Sequence, residues 1–498
     1  MSALQPHLPA LQVVVPMMSA PLAMLLRERQ LSWMLATAAS LCAFAIAIAL
    51  TREVLAVGEV GYLMGSWAPP FGIELSVDPM SVLLLLVVTG ASSIALLAGA
   101  TSLHEQIKSE RQPLFYSAWL LALAGLCGIL VTADAFNIFV FMEISSLASY
   151  VLVAGGPDRR ALPAVFKYLV MGTIGATFYL IGVGLIYLMT GTLNLEDISL
   201  RMQEVTDLKP ILIAAGFITV GLALKAAVFP LHVWLPNAYT YAPHVATVFL
   251  AACATKVSLY VLLRFDFYVF QPNLEAHDLR FSYFLLPLSL LAILIASAVA
   301  MFERDLKRLL AWSSVAQIGY IMLGASLLSL AGLTASLLHV FNHALAKGAL
   351  FLTCACLAMS VSKVRVDTIG GIARRMPWTM AAFVLAGLSL IGVPGTAGFI
   401  SKWYLITASF AVGPGGILLV AAIVVSSLMA VVYIWRVVEA AYFSVGEIPD
   451  DEIENATEAP LGLLIPTWIA VLLNLYFGLF PGLPLELSSA AAETLLGY

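Results

Sequence analysis

Apolar residues fill this chain in runs of about twenty, and polar residues gather in the short gaps between the runs. A helix that crosses a bilayer needs about 20 mainly apolar residues. On that rule the pattern predicts an all-α polytopic membrane protein with about fourteen transmembrane helices, over 8–27, 31–51, 78–102, 113–131, 134–154, 163–190, 210–229, 242–264, 282–302, 308–329, 332–360, 377–410, 414–442 and 460–482. The narrowest divisions fall at 28–30 and 132–133. Longer gaps at 52–77 and 191–209 are expected on the outer side, the second with room for a short surface helix or hairpin. The gaps are too short for a soluble domain, so 1–498 reads as one membrane domain.

Cations mark the orientation, because cytoplasmic loops carry an excess of Lys and Arg. Alternate gaps hold Arg27, Arg29, Lys108, Arg111, Arg159, Arg160, Arg304, Lys307, Arg308, Lys363, Arg365, Arg374 and Arg375, whereas the opposite gaps hold Arg52, Arg201, Lys209, Arg264 and Arg280. Thirteen against five predicts an outside N-terminus. Arg27 and Arg29 follow the first apolar run instead of preceding it, so that run reads as a helix and not as a cleaved leader. The loop 446–458 is acidic and weighs little in this rule.

Two runs are interrupted. Pro230 and Pro236 follow Lys225 in the seventh, and Gly392, Pro394, Gly395 and Gly398 precede Lys402 in the twelfth. Irregular backbone at membrane depth is tolerated only where it is packed in protein or lines a cavity. Paired breaks in corresponding positions point to an inverted-repeat core and to its site. Helices 4–8 (113–264) and 9–13 (282–442) would be the repeats, with 1–112 holding helices 1–3 ahead of them and 460–482 behind.

With the loop charges set aside, Glu143, Lys167, Lys225, Lys256, His339, His343, Lys347, Lys402 and Arg436 remain inside apolar runs. A charge at the bilayer centre costs roughly 2.5–3.5 kcal/mol on insertion scales, and such residues mark ion or proton pathways. A lone buried carboxylate neutralises unless paired, and Lys225 is the partner expected for Glu143. Lysine, unlike arginine, can give up its proton, so a lysine whose glutamate approaches and withdraws is a switchable proton carrier. His339, His343 and Lys347 lie four apart on one helix face. That spacing suits a proton relay, with a metal pair or satisfied core histidines as alternatives, and Lys347 fits a structural hydrogen bond equally well. Lys402 follows the second break and is placed to exchange protons with one surface. Lys167 and Arg436 lie nearer helix ends, where snorkelling is as good a reading as function.

Composition narrows the partners. Hydrophobic residues make up 61% of the chain and charged residues 11%, against roughly 25% charged in soluble domains. No basic run is long enough for nucleic acid. Cys42, Cys127, Cys253, Cys354 and Cys356 sit in apolar runs as small core residues. With no dinucleotide fingerprint, iron–sulfur spacing or haem pair, no cofactor and no redox activity of its own is expected, and no metal either.

LKAAVFPLHVWLPNAYTYAP followed by KVSLYVLLR resembles the core of the antiporter-like proton-translocating subunits, which occur in respiratory complex I, group 4 membrane-bound hydrogenases and multisubunit Mrp-type Na+/H+ antiporters. FNIFVFMEISSLASYVL, ERDLKRLLAWSSVAQIGYIMLG, HVFNHALAKGALFL and GVPGTAGFISKWYL extend the likeness in order over about 78–440. VAQIGYIMLG and GFISKWYL look most like the D subunit of Mrp-type antiporters or its hydrogenase counterpart. The resemblance implies fourteen helices with two inverted five-helix repeats. It implies that Glu143 and Lys225 form the gating pair, Lys256 is the central lysine, His339 and His343 form the histidine region, and Lys402 is the terminal base. It also implies protons and Na+ as transported ions, other subunits as partners, and the bacterial cytoplasmic membrane as the location. A proton-pumping subunit of a redox complex is the alternative. Three positions depart from the family pattern: Asn237 stands where Asp is frequent, Gln317 where a histidine is frequent, and His244 where Ser, Thr or Pro is usual.

Overall fold

Backbone N–H and C=O groups find no water in lipid, so each apolar run must close its hydrogen bonds within itself. In the computed structural model, which describes residues 4–270, 282–443 and 455–497, they do so as helices. Twelve of these are long and apolar enough to span a membrane. In chain order they begin with α1 (Leu8–Leu25), α2 (Arg29–Val57), α3 (Pro79–Gln106), α4 (Gln112–Val131), α5 (Ala135–Ala154) and α6 (Ala161–Thr190). A short α7 (Leu195–Met202) then lies in the expected outer gap, capped by the Asn194 side chain. The seventh run is divided into α8 (Lys209–Lys225) and α9 (Leu235–Tyr241). The chain continues through α10 (His244–Leu263), α11 (Ser282–Phe302), α12 (Leu306–Ser326) and α13 (Leu330–Ala358). The twelfth run is likewise divided, into α14 (Pro377–Ile391) and α15 (Ala397–Phe410), and α16 (Gly416–Phe443), α17 (Leu461–Leu479) and α18 (Gly482–Leu496) complete the order.

Three features differ from the expectation. The 52–77 gap is partly helical, since α2 runs on to Val57, and the rest carries an antiparallel hairpin of β1 (Val60–Leu63) and β2 (Glu74–Val77). Beyond 482 the chain forms α18, whose Leu487, Ala491 and Leu495 are buried against α3 and α13. α10 also outruns 264, passing into a π-helical segment, Arg264–Phe270. Arg280 and most of the acidic loop 446–458 lie outside the described residues.

The two breaks have different chemistry. α8 ends at Lys225, so that lysine closes a half-helix, and the chain turns through Ala227 at φ 56° before Pro230. Past Ile391, Gly392 and Gly395 take φ of 94° and 88°, a region that costs glycine little and bulky residues much. Pro394 lies between them.

Both halves pack in the same order. α4 lies on α5, α5 on α6, and α6 on α8, and likewise α11 on α12, α12 on α13, and α13 on α14 and α15. Counting each divided run as one crossing, each unit has five. Because five is odd, the second unit enters the membrane from the face opposite the first. The units meet where α10 packs on α13.

Candidate functional site

In the first half, Lys225 Nζ donates to Glu143 Oε1 at 3.0 Å and to Ser146 Oγ at 2.6 Å. The lysine is 8% exposed, while the glutamate side chain keeps 26% of its surface open. Lys225 faces a small cavity shared by Ser145, Ser149, Tyr150, Tyr168, Trp234 and Ser258. Those hydroxyls can hydrogen-bond a water in the cavity. The break completes the wall. Trp234 stacks on Tyr168 with centroids 4.2 Å apart, and its indole N–H donates to the Leu224 carbonyl at 2.9 Å, filling one of the acceptors that a helix end leaves open.

Helix approach sets the lysine's position. A Cβ on Gly175 of α6 would meet the Gly221 carbonyl oxygen at 2.7 Å, and one on Gly221 would meet the Gly175 carbonyl oxygen at 2.5 Å. Glycine at both positions lets α8 lie backbone to backbone on α6, as small residues do at membrane helix interfaces.

At the junction of the halves, Lys256 is 1% exposed and donates to the Ala251 carbonyl of its own helix. It lies within electrostatic range of His343, His339 and Lys347. His339 Nε2 is 2.9 Å from Gln317 Oε1, and Nδ1 is 2.9 Å from Ser401 Oγ. Gln317 Oε1 can only accept, so Nε2 carries a proton. Ser401 can donate to a neutral Nδ1, or accept from a protonated one while its own proton turns to the Gly398 carbonyl at 3.3 Å. Both charge states of His339 are therefore satisfied. His343 stacks parallel to His339, with centroids 6.1 Å apart, and neither of its ring nitrogens has a partner among the described residues.

The second half has no counterpart of Glu143. Lys347, fully buried, donates to the Leu310 carbonyl at 2.6 Å and to Ser313 Oγ. Lys402, 5% exposed, donates to the last two carbonyls of α14, Leu390 at 3.0 Å and Ile391 at 2.9 Å, and to Ser427 Oγ at 3.0 Å. Its ammonium sits 4.9 Å from the Tyr320 ring centroid. Among the described residues, the Glu143–Lys225 contact is the one ion pair of this buried set.

Lys256, His339, His343, Lys347 and Lys402 thus form one electrostatically linked group, with Gln317 bonded to His339, while Glu143 and Lys225 form a separate pair in the first half. Lys167 joins neither, being exposed on α6. Arg436 donates to the Met301 carbonyl at the edge of the bundle. His244 opens α10 at the floor of a polar vestibule shared by Arg160, Asp305, Lys307 and Arg365. At its rim the Arg160 guanidinium and backbone N–H hold the Asp158 carboxyl below the ordinary carboxylate range.

Three groups read as loop charges, or passed over, are internal. Lys307 is 7% exposed and donates to the Ala242 carbonyl at 2.7 Å. Arg264 is buried and bonded to Asp78 at 2.7 Å. Asp266 is buried beside Thr219. Lys307 lies within two residues of an Asp, and Arg264 at the end of a run, so charge counting alone files both under loops.

Comparison with known proteins places this geometry. Residues 132–430 match the family described as NADH:quinone oxidoreductase/Mrp antiporter, TM. NADH-quinone oxidoreductase subunit N of Desulforudis audaxviator is 40% identical over 492 residues, covering 95% of this chain and 96% of the relative. The D subunit of the Na(+)/H(+) antiporter of Bacillus subtilis is 29% identical, covering 98% and 96%. A chain in the structure of the Mrp complex from Dietzia sp. DQ12-45-1b superposes with a TM-score of 0.88 at 27% identity, over 99% of this chain and 98% of the other. With three-fifths of its length in the family match and the fold and buried set described above, this chain belongs to the NADH:quinone oxidoreductase/Mrp antiporter transmembrane family.

Proposed function

We propose that this chain is the proton-translocating subunit of a multisubunit monovalent cation (Na+)/H+ antiporter, set in the bacterial cytoplasmic membrane with its N-terminus outside. One observation carries the reading: a single buried acid–base pair, Glu143–Lys225, accompanies an otherwise all-basic buried set of Lys256, His343, His339 and Lys402. Several ammonium groups cannot all stay charged together in a dry interior. When Glu143 holds Lys225, a proton is favoured there. When the pair opens, the proton is released toward Lys256 and the histidines, and Lys402 passes it on. The units 113–264 and 282–442 act as two half-channels in series.

Among the described residues no group of acidic side chains gathers as a hard cation prefers, and the reading assigns Na+ movement to partner subunits of the same complex. Likeness to the Bacillus antiporter protein and to the Mrp complex supports the antiporter reading. Glu143→Ala or Lys225→Ala, tested in vesicles carrying the assembled complex, abolishes cation-driven ΔpH dissipation. Full exchange in either assembled variant would sink the reading.

A second reading has its own support in the 40% identity to a subunit of NADH-quinone oxidoreductase. In it the same set pumps protons, driven by a redox arm. Affinity purification from mild detergent separates the two, since an iron–sulfur hydrophilic arm travelling with the chain selects the redox complex.

A further inference from the structure

Beyond the residues just described, α10 and the π-helical segment that follows it carry a second polar line. Lys256, Tyr260 and Arg264 lie four residues apart, on one helix face, with about 6 Å of rise per step. The line runs from the membrane centre to the end of α10 opposite the His244 vestibule. Tyr260 is 2% exposed; its hydroxyl lies 3.1 Å from Ser81 Oγ and 3.2 Å from the Leu130 carbonyl. Arg264 Nη2 donates to Asp78 Oδ2 at 2.7 Å, and its guanidinium carbon sits 4.9 Å over the Tyr260 ring. Asp78 Oδ1 accepts from the Ser81 backbone N–H at 2.8 Å, capping α3 directly below the β hairpin. Asp78 is 4% exposed and Arg264 9%.

Stability does not explain such a pair, because replacing a buried ion pair with neutral groups of similar volume is often harmless or stabilising. Its chemistry is also opposite to that of the lysines. An arginine never releases its proton, so it cannot be a station on the path. Paired with Asp78, it holds the positive end of the pair fixed over the Tyr260 ring, and a fixed charge facing a path is a device by which pores exclude protons.

We propose that Arg264, held by Asp78 and backed by Tyr260, is an electrostatic seal that keeps protons on Lys256 from escaping to the hairpin side of the first half. Asp78 positions the guanidinium; Arg264 supplies the barrier. The proposal rests on the proton path through Lys256.

The test uses vesicles carrying the whole complex and reads the decay of an imposed ΔpH with no substrate cation present, next to cation-driven exchange. In D78N/R264Q, which removes both charges and keeps the shapes, passive decay rises about ten-fold, the rate change that about 1.4 kcal/mol of lost barrier gives. R264K keeps the charge and stays as tight as wild type. A D78N/R264Q complex that assembles and stays tight overturns the seal. So does R264K leaking as fast as the neutral pair. If D78N/R264Q fails to assemble while D78N and R264Q alone do assemble and stay tight, the pair is a structural tie and the proposal fails. Passive decay does not require that the wild type exchange cations, so failure of the antiporter reading shows separately, as absent exchange in a tight wild-type vesicle.

Discussion

Asp134 and Asp305 make the same corner twice. Each caps a helix, accepting from the backbone N–H three residues on, Asn137 at 2.7 Å and Arg308 at 3.0 Å. Each is flanked by the same pair of strand-like bonds: Ala135 N–H to the Leu193 carbonyl and Leu195 N–H to Ala133, then Leu306 N–H to the Val364 carbonyl and Val366 N–H to Arg304. Every partner in the second set lies 171 residues beyond its counterpart. The same register carries Glu143 onto Ser314 and Ser146 onto Gln317. The duplicated scaffold therefore holds different chemistry in its two copies. The carboxylate is confined to the first, and in the second the neutral amide of Gln317 serves a histidine.

Glu143 and Lys225 should be energetically coupled. In a double-mutant cycle with E143Q and K225M, thermal melts of the solubilised complex should give a coupling of roughly 0.5–3 kcal/mol, the range for contacting partners in one network. Additive effects would mean that the 3.0 Å contact does not hold the resting state.

His339 and His343 should separate by what they cost. H339A strands Gln317 and Ser401 in the interior, and an unpaired buried polar group costs about 1–3 kcal/mol. H343A strands no protein group among the described residues, so its melting temperature should stay near wild type while exchange falls. Equal destabilisation by the two variants would contradict the observed bonding.

Gly175→Ala should act on transport through geometry alone. The added methyl meets the Gly221 carbonyl and pushes α8 from α6, at about 1–3 kcal/mol for an overpacked contact. Since Lys225 sits one turn beyond Gly221, exchange should drop with stability. An unchanged melt would mean that the helices are not in contact there.

Lys167→Ala is the complementary test. Its side chain is exposed on α6 and touches none of the buried groups, and surface changes of this kind usually stay within ~0.5 kcal/mol. Exchange should match wild type. A transport defect would bring Lys167 back onto the proton path.

How much of this was legible in the sequence depends on range. The breaks were visible because proline and glycine interrupt an apolar run locally. The Glu143–Lys225 pair was inferable because a lone acid among buried bases leaves few choices. Asp78–Arg264 was not, since 186 residues separate the partners and each borders a run end that reads as loop. Lys307 was hidden by its neighbours, for ERDLKR looks like a cytoplasmic loop until the fold lays the Ala242 carbonyl over its ammonium. The hairpin and α18 escaped because a search for twenty-residue apolar runs passes over short elements. The 171-residue register was invisible because the repeated feature is a hydrogen-bonded corner, while the letters around it differ.

Lys402 ends α14 as well as following it. Its ammonium has three N–H bonds, and the structure supplies three acceptors: the carbonyls of Leu390 and Ile391 and the hydroxyl of Ser427. A neutral amine has two N–H bonds and a lone pair. If this lysine gives up its proton as proposed, one acceptor loses its donor, and Ser427 can turn to fill the lone pair. The helix end thereby registers the charge. Carbonyl stretching at isotope-labelled Leu390 and Ile391 should shift with the protonation of a side chain that itself gives no signal, making the broken helix a reporter of its own cargo.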